Sequence, residues 1–498
     1  MMNYRSTRDI NTEFTCTSAQ AIKQGLAADG GLFVPMELPV LTEDFLASLA
    51  KEPYDVRAAK VLHLFLDDYS EEELLADCAA AYREQAFPGG AAPLVKVDDF
   101  AHIFSLELWH GPTAAFKDMA LQIMPRLLSR ALKKTGEDRT ALILVATSGD
   151  TGKAALEGYR DIDQIKIMVY YPVDGVSRVQ KLQMATQEGN NVNVCAIRGN
   201  FDDAQTGVKR IFSDKEAATK LAENGYVLSS ANSINWGRLA PQIVYYISAY
   251  LDLLEKNELR EGETFNVCVP TGNFGNIFAA YLAKKMGLPI GKLICASNAN
   301  NILTDFLRTG TYDRNRPFHL TMSPSMDILI SSNLERLLYF TAGSEKTAAY
   351  MAQLNHEGRY TVDPEVKAAI DENFVGFFAD EKQTEQTIRT YFQRHNYLCD
   401  THTAVALCCA AQYQNSTGDF APMVVDSTAS PYKFANNVYR AATGNEPTDE
   451  LSALKELSSA TDTEIPYPLA GLAKRKVRFE KVIDAENMLS EVYAYLGI

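Results

Sequence analysis

Along the chain, short near-continuous apolar runs alternate with longer stretches whose apolar positions recur at helical spacing. The runs are HIFSLELW (102–109), ALILVATS (141–148), IKIMVYYP (165–172), NVNVCAI (191–197), FNVCVPTG (265–272), KLICASN (292–298) and PMVVDST (422–428). A strand that is apolar on both faces is buried on both faces, which is the mark of a parallel sheet. Alternation with helices makes the expected class α/β, doubly wound. In such sheets ligands sit beyond the carboxyl ends of the strands, so the loops there are the places to look for chemistry. Residues 1–95 read differently. A polar strand-like opening and a short helix, SAQAIKQGL, lead to a turn at Asp29-Gly30-Gly31 and to helical patterns at 42–50, 54–66 and 70–86. The stretch FPGGAAP (87–93) marks the boundary with the main body, 96–498. GTYDRNRPFHL (310–320) reads as a loop, and 443–470 as a lid-like insertion.

Composition narrows the class. A chain of 498 residues suggests two to four lobes of roughly 100–200 residues each. Lys and Arg number 48 against 63 Asp and Glu, a net charge of −15. That balance disfavours nucleic acid or an anionic membrane as the main partner but allows a locally positive site. The eight cysteines, among them Cys195, Cys268 and Cys295 inside strand-like runs, form no C-x-x-C pair. They read as reduced core residues of a cytoplasmic protein, and no metal is expected. The opening MMNYRSTRDINTEF lacks the apolar core of a signal peptide. No apolar run approaches the ~20 residues of a membrane helix.

Three loops after strands offer anion chemistry. Thr147-Ser148-Gly149-Asp150-Thr151-Gly152 places hydroxyls and amides at a helix start, where unpaired N–H groups and the dipole favour negative charge. It is not a Walker loop, because Lys153 is followed by Ala. Gly272-Asn273-Phe274-Gly275-Asn276 lets backbone amides approach an oxyanion and suits a monophosphate better than a dinucleotide. Asn232-Ser233-Ile234-Asn235-Trp236-Gly237-Arg238 ends in a guanidinium that forks onto phosphate or carboxylate, or else is a polar loop with a solvated Arg. His402, in Asp400-Thr401-His402-Thr403, reads as a helix cap or else as a pocket residue.

Lys117, in WHGPTAAFKDMA, stands among small and apolar residues. Thr113 can cap a helix running to about Arg130, kinked at Pro125. On a wheel turning ~100° per residue, Lys117 shares its direction with Leu121, Met124 and Leu128, opposite Asp118, Gln122 and Arg126. An inward lysine in a first helical turn is pushed toward neutrality by burial and by the dipole, below its usual pKa of about 10.4. A neutral amine is the nucleophile of Schiff-base chemistry; the alternative is a stem that covers the core while the charge reaches water.

GPTAAFKDMA (111–120), ATSGDTGKAA (146–155), PTGNFGN (270–276) and STASPYKF (427–434) resemble the signature stretches of the threonine synthases. QGLAADGGLFVP (24–35) is similar to the leading segment of their longer, bacterial and fungal type. The resemblance implies a fold type II, tryptophan-synthase-β-like enzyme. Two α/β lobes, a smaller mobile one near 104–240 and a larger one at 241–498, would hold pyridoxal 5'-phosphate between them, behind a mainly helical N-terminal domain. It implies a Schiff base on Lys117, a phosphate cradle at Gly272, Asn273, Phe274, Gly275 and Asn276, and Thr428 at the pyridine nitrogen. Thr147, Ser148, Asp150 and Thr151 would surround the amino-acid end of the substrate, and Asn232, Ser233 and Arg238 its phosphate. Asp150 departs from the Asn that many fold type II enzymes place near the cofactor's phenolic oxygen, and Lys153 stands where a small neutral residue is expected.

The implied reaction is O-phospho-L-homoserine plus water to L-threonine plus phosphate, by γ-elimination and β-addition of water. The expected actor is a cytoplasmic monomer. Two rivals remain open at this point: another fold type II enzyme such as a serine/threonine dehydratase, and a non-catalytic ligand-binding homologue.

Overall fold

The computed structural model of the chain describes residues 2–11, 15–147, 149–174 and 176–498. The seven apolar runs all become strands, shared between two open sheets. The larger sheet has the order Phe374–Phe378, Ile290–Ser297, Phe265–Pro270, Met423–Ser427, Ile103–Glu107, Leu94–Asp98. Its strands run parallel except the last, which is antiparallel to its neighbour. The smaller sheet has the order Val482–Asp484, Val192–Arg198, Ile165–Pro172, Thr140–Ala146, Tyr226–Ser229 and is parallel throughout. Phe265–Pro270 and Met423–Ser427 are buried at every position, which explains their mostly apolar sequence. All four sheet edges, LVKVD, FVGFF, VID and YVLS, lie outside the predicted runs. An edge strand is partly solvated and often short, so it need not carry a long continuous apolar signature.

The boundaries differ from expectation in two places. Leu94–Asp98 and Ile103–Glu107 belong to the larger sheet, so the smaller lobe's sheet begins at Thr140 and not near residue 104. The chain also returns at its far end: Val482–Asp484 pairs with Val192–Arg198, and helix Met488–Leu496 buries Met488 and Val492 in the smaller lobe's core. An apolar pattern says that a segment is buried, not which sheet it joins. The 443–470 segment is anchored: helix Ser452–Thr461 buries Ala453, Leu454 and Leu457 in one cluster with Val438, Ala441 and Ala442 of helix Ala435–Thr443. Within 310–320, Thr311–Asp313 pairs antiparallel with Arg359–Thr361.

The leading unit contributes a two-stranded ribbon, Tyr4–Ser6 with Phe33–Pro35, and helices Ser18–Gln24, Glu43–Leu49, Tyr54–His63 and Glu71–Ala81. It is fastened at several points, two of which reach the 232–238 loop. Tyr4 and Phe65 lay their rings against the buried Trp236, with centroids 5.5 and 5.6 Å apart. The fully buried Arg336 donates to the Phe33 carbonyl at 2.9 Å, to the Ile234 carbonyl at 2.6 Å and to Asn333 Oδ1 at 2.5 Å. One guanidinium thereby joins the leading unit, the 232–238 loop and the support of the glycine loop. Among the described residues no helix is long and apolar enough to cross a membrane. Replacing Arg336 by Met leaves these carbonyls unpaired in the core, and a loss of about 3 kcal/mol is expected in urea unfolding.

Candidate active site

The WHGPTAAFK stretch is held against the loop after Met423–Ser427. The Leu108 amide donates to the Ser427 carbonyl at 3.0 Å, Trp109 Nε1 to Ser427 Oγ at 3.0 Å, and the Phe116 amide to the Thr428 carbonyl at 2.8 Å. This pairing replaces the expected first helical turns. The structure has a single turn, Asp118–Leu121, and a second helix, Met124–Lys134, with Pro125 in its first turn. Thr113 caps neither. Its Oγ1 and its amide both donate to the Asp118 carboxylate at 2.8 Å. Asp118 and Gln122, which the wheel assigned to the polar face, are buried. The wheel assumed one helix with one inward face, whereas helix Asp150–Tyr159 of the smaller lobe covers the other side. That approach requires Gly158, where a Cβ would collide with the Leu121 carbonyl. Burial pushes the Asp118 carboxyl up to about 7.

Lys117 stands at the N-terminus of the single turn with 11% of its side chain exposed. Its Nζ lies 3.4 Å from Ser325 Oγ and 4.0 Å from Asp150 Oδ2. Burial lowers its pKa, Asp150 opposes the change, and the cations Arg238 and Lys433 reinforce it, leaving a value of about 8. A four-residue helix has little dipole, so desolvation and neighbouring charge carry the effect.

Asp150 opens its helix after Gly149, which holds a φ of 141°. Its Oδ1 pairs with Lys433 Nζ at 2.8 Å and accepts from Gln180 Nε2 at 2.8 Å. Burial works to raise this carboxyl, but Lys433, Lys117 and Gln180 outweigh it and hold it well below the usual carboxylate range. Lys433 is itself buried and donates to the Thr113 carbonyl at 3.2 Å and Gln183 Oε1 at 2.9 Å. Thr147 Oγ1 accepts from the amides of Gly149 and Gly152 at 3.0 and 2.9 Å, so it shapes the loop. Thr151 is partly exposed. Ser148 lies outside the described residues. Lys153 is buried against Glu157 at 2.9 Å and against Gln187, so its charge is spent locally.

The glycine loop leaves strand Phe265–Pro270 and enters helix Gly275–Lys285, with Phe274 in the left-handed region at φ 62°. The Gly272 carbonyl accepts from Ser331 Oγ at 2.6 Å. The Asn273 carbonyl accepts from the amide and the side chain of Asn333 at 3.0 and 2.9 Å. With the carbonyls engaged there, the amides of 272–276 have no acceptor among the described residues. Successive free amides at a helix start form an anion cradle. A Cβ on Gly272 would lie 2.7 Å from the Ser325 carbonyl, so Ser325 borders both the cradle and the Lys117 amine. The Ser325 amide donates to His402 Nε2 at 3.1 Å, and His402 Nδ1 meets Asp400 Oδ1 at 2.9 Å. Asp400, not His402, is the cap of helix Thr401–Thr417.

Arg238 is 6% exposed. Its Nη1 donates to the Ala231 carbonyl at 2.9 Å, while Nε has no partner and no carboxylate pairs with it among the described residues. Burial lowers its pKa to about 10. The buried Tyr159 hydroxyl, close enough to feel the guanidinium charge, also lacks a partner among the described residues. Asn232 is exposed and Ser233 half-buried, while Asn235 caps the short helix that carries Arg238. Sequence reasoning left out Lys433, Ser325 and Gln180. Lys433 carried the same signal as Lys117, a lysine in a small apolar setting; Ser325 and Gln180 had none, because only folding brings them to the site.

Comparison with known proteins places these residues in context. The family described as threonine synthase N terminus matches residues 3–82, pyridoxal-phosphate dependent enzyme matches 86–425, and threonine synthase, C-terminal, matches 403–494. Threonine synthase-like 1 of Macaca fascicularis is 40% identical over 85% of the chain, which spans only 58% of that relative's length. The threonine synthase of Pseudomonas aeruginosa is 37% identical over 95% of the chain and 94% of its own. The crystal structure of PLP bound threonine synthase from Brucella melitensis superposes with a TM-score of 0.87 at 38% identity, covering 100% of this chain and 99% of that one.

In cofactor-free protein, labelling of Lys117 by an amine-reactive reagent is expected to rise with pH through about 8 and then level off. Asp150→Asn removes the anion that favours the ammonium and leaves Lys433 uncompensated. The rise should therefore move to lower pH, as measured by peptide mass analysis of the labelled lysine.

Proposed function

The chain belongs to the threonine synthase family of pyridoxal-phosphate-dependent enzymes, and from that membership we propose that it converts O-phospho-L-homoserine and water to L-threonine and phosphate. One observation carries the reading: the buried amine of Lys117 has two separate anion positions beside it, the amides of 272–276 and Arg238. A cofactor phosphate and a substrate phosphate need one each.

The residues fit the cofactor. Unpaired amides suit its phosphate, a buried amine whose pKa is lowered to about 8 suits its aldehyde, and Thr428, held through its carbonyl by Phe116, offers a neutral hydroxyl to its ring nitrogen. When bound, pyridoxal phosphate supplies the electron sink that stabilises negative charge next to the substrate amine.

The protein's own residues do the rest. Lys117 takes the proton from Cα and moves protons at Cβ; a pKa near 8 suits it to both directions. Asp150, fixed by Lys433 and Gln180, keeps the lysine head in place. Arg238 holds the phosphate ester and stabilises the leaving phosphate, with Asn232 and Ser233 at the rim. Thr151, Asp150 and the Thr147-shaped loop face the amino-acid end of the substrate. Ser148, assigned to the same end, lies outside the described residues. Closure of the smaller lobe excludes water until elimination is complete. A reducing, cytoplasmic setting agrees with the eight free cysteines. The monomeric state belongs to the same proposal and is checked by light scattering.

Phosphate release from O-phosphohomoserine, with threonine identified as product, tests the reading. Activity on serine or threonine with inertness toward the ester would replace it with a dehydratase. Lys117→Ala should lower turnover by about 10³-fold or more. Arg238→Met should cost about a hundredfold in kcat/KM, close to 3 kcal/mol for charge-assisted hydrogen bonds, and mostly through KM.

A further inference from the structure

Behind the glycine loop lies a buried acid that the reaction does not use. Asp426 is on strand Met423–Ser427, two residues before Thr428, and is 0% exposed. Its Oδ2 lies 2.7 Å from the Tyr246 hydroxyl and 2.8 Å from Asn276 Nδ2. Asn276 Oδ1 lies 2.5 Å from the hydroxyls of both Tyr245 and Tyr246. Asp426 Oδ1 has no hydrogen-bond partner, and no cation pairs with the carboxyl, among the described residues. The other titratable group that feels its charge is the buried Cys268 thiol on the neighbouring strand.

Counting protons decides the state of this acid. Tyr246 has one proton for two close oxygen neighbours, with the Asn276 backbone carbonyl farther off at 3.4 Å. Given to Asp426, it leaves the Tyr246 oxygen and the Asn276 carbonyl facing each other at 2.5 Å with nothing between them. Given to Asn276, it leaves the contact with Asp426 in need of a proton from the acid. Turning the Asn276 amide over brings its carbonyl against Asp426 Oδ2 at 2.8 Å, which again needs that proton. Each arrangement that satisfies every contact puts a proton on Asp426. The bare Oδ1 agrees, because an unpaired oxygen of a neutral acid costs far less in the core than one of a carboxylate.

We propose that Asp426 is held as a neutral carboxylic acid, and that its donated hydrogen bond positions Asn276 and the first turn of helix Gly275–Lys285 for an anion. Burial pushes the group up to about 7, in the direction that the proton count requires. A carboxylate behind the cradle would repel a phosphate through a medium of low dielectric; the proton removes that repulsion. The protonation stands on local geometry alone, whereas its effect on a bound phosphate rests on the cradle reading above.

Infrared difference spectra of wild type minus Asp426→Asn, taken at neutral pH on cofactor-free protein, are expected to show a protonated-carboxyl band that the variant lacks. Carboxylate bands alone overturn the proposal. The affinity ratio of pyridoxal phosphate to pyridoxal gives a second readout. Asn at 426 supplies the donor to Tyr246 once Asn276 turns over, so the ratio should stay within about threefold, whereas Asp426→Leu should lower it about tenfold. A tenfold rise in the Asn variant would mean that a negative charge had been removed, which also overturns the proposal. Equal affinities of wild type for the two aldehydes would sink the cradle reading and leave the acid band standing. If the Leu variant does not fold, the infrared bands and the Asn variant decide.

Discussion

Burying an amine without a counter-charge in direct contact is the constraint around which this protein is arranged. Lys117 has Asp150 at 4.0 Å and a hydroxyl at 3.4 Å, and neither makes a close ion pair. Had Asp150 been free to close on it, the lysine would be an inert cation. Lys433 prevents this by taking Asp150 Oδ1 for itself at 2.8 Å. The site thus contains three cations, Lys117, Lys433 and Arg238, around one firmly ionised carboxylate. That local excess of positive charge sits in a chain whose net charge is −15. A pocket of that sign favours anions more than the rest of a negatively charged chain does.

The scaffold separates the parts of the site by lobe. Lys117, the glycine loop, Thr428 and Lys433 follow strands of the larger sheet; Asp150 and Arg238 follow strands of the smaller one. A rigid-body shift between lobes therefore changes the Lys117–Asp150 distance and the position of Arg238 together. The leading unit takes part through Arg336 and Trp236, which tie it to the loop that carries Arg238.

The sequence made some of this legible and hid the rest, for identifiable reasons. Central strands such as Phe265–Pro270 were plain because both faces are dry; edges such as Val482–Asp484 were not. The lowered pKa of Lys117 was legible, but for partly the wrong reason. The continuous helix was an error, because the Phe116–Thr428 hydrogen bond and the Thr113–Asp118 contacts hold the backbone in another path. The glycine loop was visible as a local pattern, since Gly272 and Gly275 lie close in sequence. Ser325 and Gln180 were invisible because long-range contacts alone bring them to the lysine. The wheel exposed Asp118 because one helix cannot show the second surface that covers it.

The late return of the chain to the smaller sheet has a consequence for how the protein is made. Until Val482–Asp484 arrives, Val192–Arg198 is an unpaired edge, and the Met488 and Val492 positions of that lobe's core are empty. On the ribosome the smaller lobe emerges early yet waits for nearly the whole remaining chain before its last strand docks. An open parallel edge flanked by apolar surface is a hazard for association between nascent chains. Truncations near the C-terminus should therefore act on solubility through the smaller lobe, far in sequence from the residues they remove.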